Sequence, residues 1–98
     1  MSYLIKINKR ALNDIQKAFN YYDKIDDSIG DKFQINLDKA IVAIANNPFY
    51  QIRYSDVHCL LVKKFPYMIH FQVNEKKNTV IIRAIINTSK NSNSTWIK

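Results

Sequence analysis

A single glycine, Gly30, and a single cysteine, Cys59, stand in a chain of 98 residues, and each scarcity closes off a class of chemistry. One glycine cannot build G-x-G-x-x-G or a P-loop, which need several so that backbone N–H groups can approach phosphate. One cysteine forbids an internal disulfide. With only His58 and His70 beside it, no Cys/His spacing suits structural zinc, so neither metal nor cofactor is expected and a reducing cytoplasm is the expected setting. The longest apolar run, Ala40 to Ala45, falls far short of the roughly 20 residues that cross a bilayer. Residues 1–10 hold no apolar signal segment, so no membrane partner is expected. Acidic side chains are also few, 8 against 15 basic ones, for a net charge of +7. The imbalance is uneven: 7 basic and 6 acidic side chains lie in residues 1–49, but 8 and 2 in residues 50–98. A basic C-terminal half favours encounter with polyanions or acidic protein segments without choosing among them.

What the chain does have is enough Leu, Ile, Val and Phe, 30 residues, to fold around one core. Residues 1–98 read as one domain, with a core over 1–89 and a polar tail over 90–98 closed by Trp96. Tyr3–Ile7 alternates and predicts a strand. Asn8 can cap a helix of about 17 residues with a stripe of Leu12, Ile15, Phe19, Tyr22 and Ile25. Ser28 with Asp31 resembles a capping box opening a second helix, whose stripe is Phe33, Leu37, Ala40, Ile41 and Ile44 and whose end is Asn46-Asn47-Pro48. Downstream the period changes to two. Strands are predicted over 51–54, 57–65, 67–74 and from residue 79, with Ser55-Asp56 as a tight turn and 74–78 as a hairpin loop. The order predicts an α+β fold: an N-terminal strand, then an antiparallel helical hairpin packed on one face of a mainly antiparallel sheet.

Alternation then sorts the last two strands. Tyr67, Ile69, Phe71 and Val73 share one face, and Val80, Ile82, Ala84 and Ile86 form the expected core face of the other strand. Met68, His70, Ile81, Arg83, Ile85 and Asn87 are thereby expected on an open reverse face. Its apolar members would be costly to expose unless a partner covers them. The plain readings are helix packing for Tyr21 and Tyr22, a small core hydrophobe for Cys59, and a solvated strand edge for Lys63 and Lys64.

Three stretches carry a resemblance: Asp14-Ile15-x-x-Ala18-Phe19-x-Tyr21-Tyr22, the Asn47-Pro48 stop, and Phe65-Pro66-Tyr67-Met68-Ile69-His70-Phe71-x-Val73. Together, and over nearly the whole chain, they resemble the ParE/RelE superfamily of type II toxin–antitoxin (plasmid-stabilisation) toxins. The resemblance implies a cytoplasmic growth-inhibiting toxin neutralised by a cognate antitoxin, and is compatible with a homodimer. Its RelE-like branch implies cleavage of mRNA on the ribosome; its ParE-like branch implies inhibition of DNA gyrase without an RNase centre. Relatives commonly end the last strand in His-x-x-Arg-x-Pro, where this chain has Asn87-Thr88-Ser89-Lys90-Asn91-Ser92. Cleavage through a 2′-OH needs a base, a cation for the phosphorane and an acid. Here His70 would be the base, Arg83 and Lys90 would hold phosphate, and no second proton shuttle remains. The expectation is therefore a ParE-like binding toxin rather than an enzyme, contacting its target or antitoxin through Met68, His70, Ile81, Arg83, Ile85, Asn87, Lys90 and Trp96. An endoribonuclease, or a degenerate member that still binds antitoxin, is the alternative.

Overall fold

The computed structural model describes residues 2–49, 52–54 and 56–88, the segment 52–54 by its backbone alone. The elements follow the expected order: β1 (Leu4–Ile7), α1 (Lys9–Ile25), α2 (Asp27–Asn46), β2 (Ile52–Tyr54), β3 (Val57–Leu61), β4 (Tyr67–Asn74) and β5 (Thr79–Asn87). The five strands lie in the order β1-β5-β4-β3-β2. Only β1 runs parallel to its neighbour, β5; the other pairs are antiparallel. Gln51, Ser55 and the tail from residue 89 lie outside the described residues.

Asn8 starts α1, its extended backbone leaving Oδ1 free to accept the Ala11 N–H at 3.0 Å. The stripe of α1 sits about one residue away from the expected one. Ala11 and Ala18 are buried and Ile15, Phe19 and Tyr22 half-buried, while Leu12 and Ile25 are 53% and 58% exposed. Small alanines let the helix close on β5; one residue on, about 100° round the axis, Leu12 faces away.

The second cap also differs from expectation. Asp26, not Ser28, separates the helices: its N–H donates to the Tyr22 carbonyl at 3.0 Å, and its carboxylate accepts the Ser28 N–H at 2.8 Å. One extended residue thus closes α1 and opens α2. The Ser28 N–H and hydroxyl stabilise the ionised carboxylate and hold Asp26 below its ordinary pKa. The helices then cross closely at Gly30, where an added Cβ would lie 3.1 Å from Cα, Cβ and Oδ1 of Asp23.

The expected α2 stripe is the buried one: Phe33, Leu37, Ala40 and Ile44, with Ile41 half-buried. Phe33, Leu37 and Ile44 meet Ile69, Phe71, Val80 and Ile82 of the sheet in one apolar cluster. Each such side chain contributes roughly 1.5–3 kcal/mol on burial. At one end of this core four rings interlock. Tyr22 lies 4.9 Å from Phe65 and 5.4 Å from Phe33, and Phe33 lies 5.6 Å from Tyr67, measured between centroids. Phe65-Pro66-Tyr67 therefore clips the start of β4 to the helical hairpin. Burial raises the Tyr22 pKa, with neighbouring Tyr67 and Tyr21 adding to it.

β3 ends at Leu61 rather than continuing to residue 65. The Val62 N–H donates to the Tyr67 carbonyl and the Phe65 N–H to the Val62 carbonyl, so residues 62–67 form a tight turn with Lys64 at φ 71°. Lys63 and Lys64 are exposed on this turn, not along a strand edge.

Candidate functional site

β5 changes its facing halfway along, and this relocates half of the expected site. Phe71 pairs with Ile82 but His70 pairs with Ala84, so Arg83 is an extra residue in β5. Such a bulge places two residues opposite one and shifts the side-chain alternation by one position. Before it, Val80 and Ile82 are buried against the helices as expected. Beyond it, Ile85 is the core residue, 3% exposed, and Ala84 and Ile86 take the reverse face. Ile85 and Asn87 are therefore not reverse-face residues, nor Ala84 and Ile86 core-face ones, because strict alternation does not survive an inserted residue.

The reverse face can then be read across the strands. Leu61, Met68 and Ile86 form one cross-strand row, half-buried at Met68 and Ile86 and 52% exposed at Leu61. The next row is Cys59, His70 and Ala84, at 8%, 1% and 4% exposed. Ile81, half-buried, pairs with Gln72 beyond it. His70 is thus buried, contrary to the exposed position expected for it. It sits on β4, flanked by β3 and β5, with Nδ1 3.6 Å from the Cys59 Sγ. Arg83, on the bulge between the second and third rows, is exposed. Met68, His70 and Ile81 are therefore brought together on one face, with Arg83 exposed on the bulge beside them. Lys90 and Trp96 lie outside the described residues.

Ile85 and Asn87 belong to a second feature that alternation alone does not show. A groove of about 680 Å³ runs between α1 and the end of β5, lined among others by Arg10, Asp14, Lys17, Tyr21, Tyr67 and Asn87. Across it, the Ile85 N–H donates to Asp14 Oδ2 at 3.0 Å. The same carboxylate oxygen lies 3.8 Å from Arg10 Nε, whose side chain is 68% exposed. A signal for Asp14 was available: it is three residues after Ala11 and four before Ala18, on the buried stripe, where a carboxylate needs a partner. Among the described residues no three His, Cys, Asp or Glu side chains converge as a metal site, and no helix is long and apolar enough to cross a membrane.

This architecture is shared with known proteins. No curated protein sequence matches the chain. Among solved structures it is similar to the intact E. coli RelBE toxin–antitoxin complex, with TM-score 0.66 and 19% identity over 86% of this chain and 94% of that one. The isolated E. coli RelE toxin gives TM-score 0.65 and 18% identity over 88% and 84%. The chromosomal ParDE system from P. aeruginosa gives TM-score 0.64 and 16% identity over 88% and 96%. At such identities the likeness is one of fold. The family model for the ParE toxin of type II toxin–antitoxin systems (parDE) matches residues 5–91, which is nearly the whole described chain. The chain belongs to the ParE toxin family of type II toxin–antitoxin systems.

Proposed function

We propose that this toxin arrests growth by binding a cellular macromolecule, with DNA gyrase the expected target, through the reverse face of its sheet, and that a cognate antitoxin neutralises it. The contact set is Met68, Ile81 and Arg83, extended by Leu61 and Ile86, with His70 buried beneath it. The observation that carries the reading is the burial of His70, which is 1% exposed and lies against Cys59. A general base must come within hydrogen-bond reach of the proton it takes. The only imidazole on this face lies within it, whereas Arg83 and the row Leu61–Met68–Ile86 are presented outward as a charged and apolar contact surface. An antitoxin partner is supported by the similar structures, two of which are toxin–antitoxin assemblies.

The test is expression of the chain alone and together with the neighbouring open reading frame. Growth should slow in the first case and recover in the second. Primer extension on a translated message should show no cuts, while supercoiling by gyrase should stall. Discrete cleavages that vanish in Arg83→Ala would replace the binding reading with an endoribonuclease. Normal growth with folded protein present would remove toxicity altogether.

A further inference from the structure

Cys59 and His70 pair across β3 and β4, 8% and 1% exposed, with the Cys59 Sγ 3.6 Å from His70 Nδ1. Met68 stands on the same face two residues before His70, half-buried and diagonal to Cys59 across the two strands. A thiol, an imidazole and a thioether are thus neighbours. No third His, Cys, Asp or Glu converges on them among the described residues, so the third donor of the group is a methionine. Their other neighbours in the two rows are apolar: Ala84 beside His70, and Leu61 and Ile86 beside Met68. Neither row holds a carboxylate.

We propose that Cys59, His70 and Met68 bind one soft monovalent metal ion, Cu(I), beneath the reverse face of the sheet. Softness selects the ion first: thiolate and thioether ligands favour Cu(I), whereas hard cations need oxygen donors that these rows do not offer. Charge selects it next. The thiol gives up its proton as the sulfur–copper bond forms, so one monovalent cation replaces another and the buried site stays neutral. Zn(II) on the same thiolate would leave positive charge uncompensated among apolar side chains, and would lack a fourth ligand. The ion takes His70 through Nδ1, and the neutral ring keeps its proton on Nε2. Geometry agrees with this pairing. With metal–sulfur and metal–nitrogen bonds of about 2.3 and 2.0 Å, a separation of 3.6 Å closes at an angle of about 115°, between the tetrahedral and trigonal values. That angle leaves room for a third ligand, and the flexible, polarizable thioether of Met68 supplies it.

The probe is Cu(I) itself, offered to the full chain without oxygen from a coloured Cu(I) chelator. We expect the chain to withdraw one ion per molecule from the chelator, to release one proton with each, and to gain a thiolate-to-copper absorption in the ultraviolet. The bound ion should block alkylation of Cys59 and shift the ring nitrogens of His70, and X-ray absorption should show sulfur and nitrogen neighbours together. Cys59→Ser should abolish uptake. Met68→Leu, a swap of similar volume that should melt as the wild type does, should weaken uptake at least tenfold, and His70→Gln should remove the nitrogen neighbour. Should His70→Gln fail to fold, Met68→Leu and the ring-nitrogen shift decide the matter. No uptake against the chelator would reduce the pair to a buried thiol–imidazole contact and overturn the proposal. Equal uptake by Met68→Leu with the His70 ring nitrogens unmoved would overturn it in favour of binding by the thiol alone. Displacement of the ion by equimolar Zn(II) would overturn the charge argument, and two chains per ion in sedimentation would make the site an interface between copies instead. The readout is separate from toxicity: a chain that takes up the ion yet leaves growth unchanged keeps the metal site and loses the toxin reading.

Discussion

The two halves of β5 are built from similar residues and do different work. Thr79–Ile82 runs between β1 and β4, with Val80 and Ile82 fully buried beneath the helices. Arg83–Asn87 keeps β4 on one side but has lost β1 on the other, and its alternation is reversed by the bulge. A strand paired on both sides and buried on one face is committed to stability. One with an inserted residue, no β1 beside it and a mixed apolar and basic surface is less committed to the core. The difference arises from one extra residue and from the early departure of β1, not from composition, since both halves are rich in isoleucine.

Paired truncations separate the two halves of β5 most directly. Ile82→Ala removes a side chain with no exposure and should cost about 2–5 kcal/mol. Ile86→Ala, half-buried on the reverse face, should cost about 1 kcal/mol while weakening growth inhibition. Urea unfolding of both variants checks this. Equal losses would mean that the facing of β5 does not reverse after Arg83.

Ile86 also shows where sequence reading stops. The fold was legible because its signals are local or periodic: Asn8 as a cap, the stripe from Phe33 to Ile44, Pro48 after a helix end, and alternation in β4. The bulge was not, because Val80-Ile81-Ile82-Arg83-Ala84-Ile85-Ile86 alternates plausibly in either phase once Arg83 is crossed, and no glycine or proline marks the insertion. The face of α2 matches expectation, and in α1 Ile15, Phe19 and Tyr22 do pack on the core; only Leu12 and Ile25 fall outside it. The fully buried positions of α1 belong to the small residues Ala11 and Ala18, which the expected stripe of bulky side chains leaves out. Of the candidate site residues, strand register puts Met68, His70 and Ile81 on the expected face, and Arg83 is exposed on the bulge. The burial of His70 depends on its neighbours Cys59 and Ala84, which only strand register reveals.

Two carboxylates sharpen the contrast next. Asp14 accepts an N–H from a residue 71 positions away, whereas Asp26 accepts one from two positions away. Asp14→Ala leaves the part-buried Ile85 N–H without that acceptor and should cost about 1–3 kcal/mol, with faster hydrogen exchange at Ile85. Asp26→Ala should cost less, since it loosens only a local turn, and should leave Ile85 exchange unchanged. Its effect should also depend on pH. The folded-state pKa of Asp26 lies below the ordinary value, so the carboxylate contributes stability above the ordinary carboxylate range and loses it as pH falls through the folded value. The gap in melting temperature between wild type and Asp26→Ala should therefore be full at neutral pH and shrink in strong acid. Accelerated Ile85 exchange in both variants would mean that the hairpin as a whole, not the Asp14 carboxylate, protects that edge.

The smallest effect on stability is expected at the bulge itself. Arg83 is exposed, and exposed substitutions away from caps, strained positions and buried polar groups usually stay within about 0.5 kcal/mol. Arg83→Ala should therefore melt with the wild type while its growth inhibition weakens. Arg83→Lys keeps the charge but not the planar fork that can hold a carboxylate or phosphate through two donors. If the target contact is bidentate, lysine should restore little; if a diffuse positive field suffices, it should restore most. A marked loss of stability in Arg83→Ala would give the residue a different role, holding the bulge open. The reversed facing of Ile85 and Ile86 would then depend on the arginine side chain rather than on the inserted backbone residue.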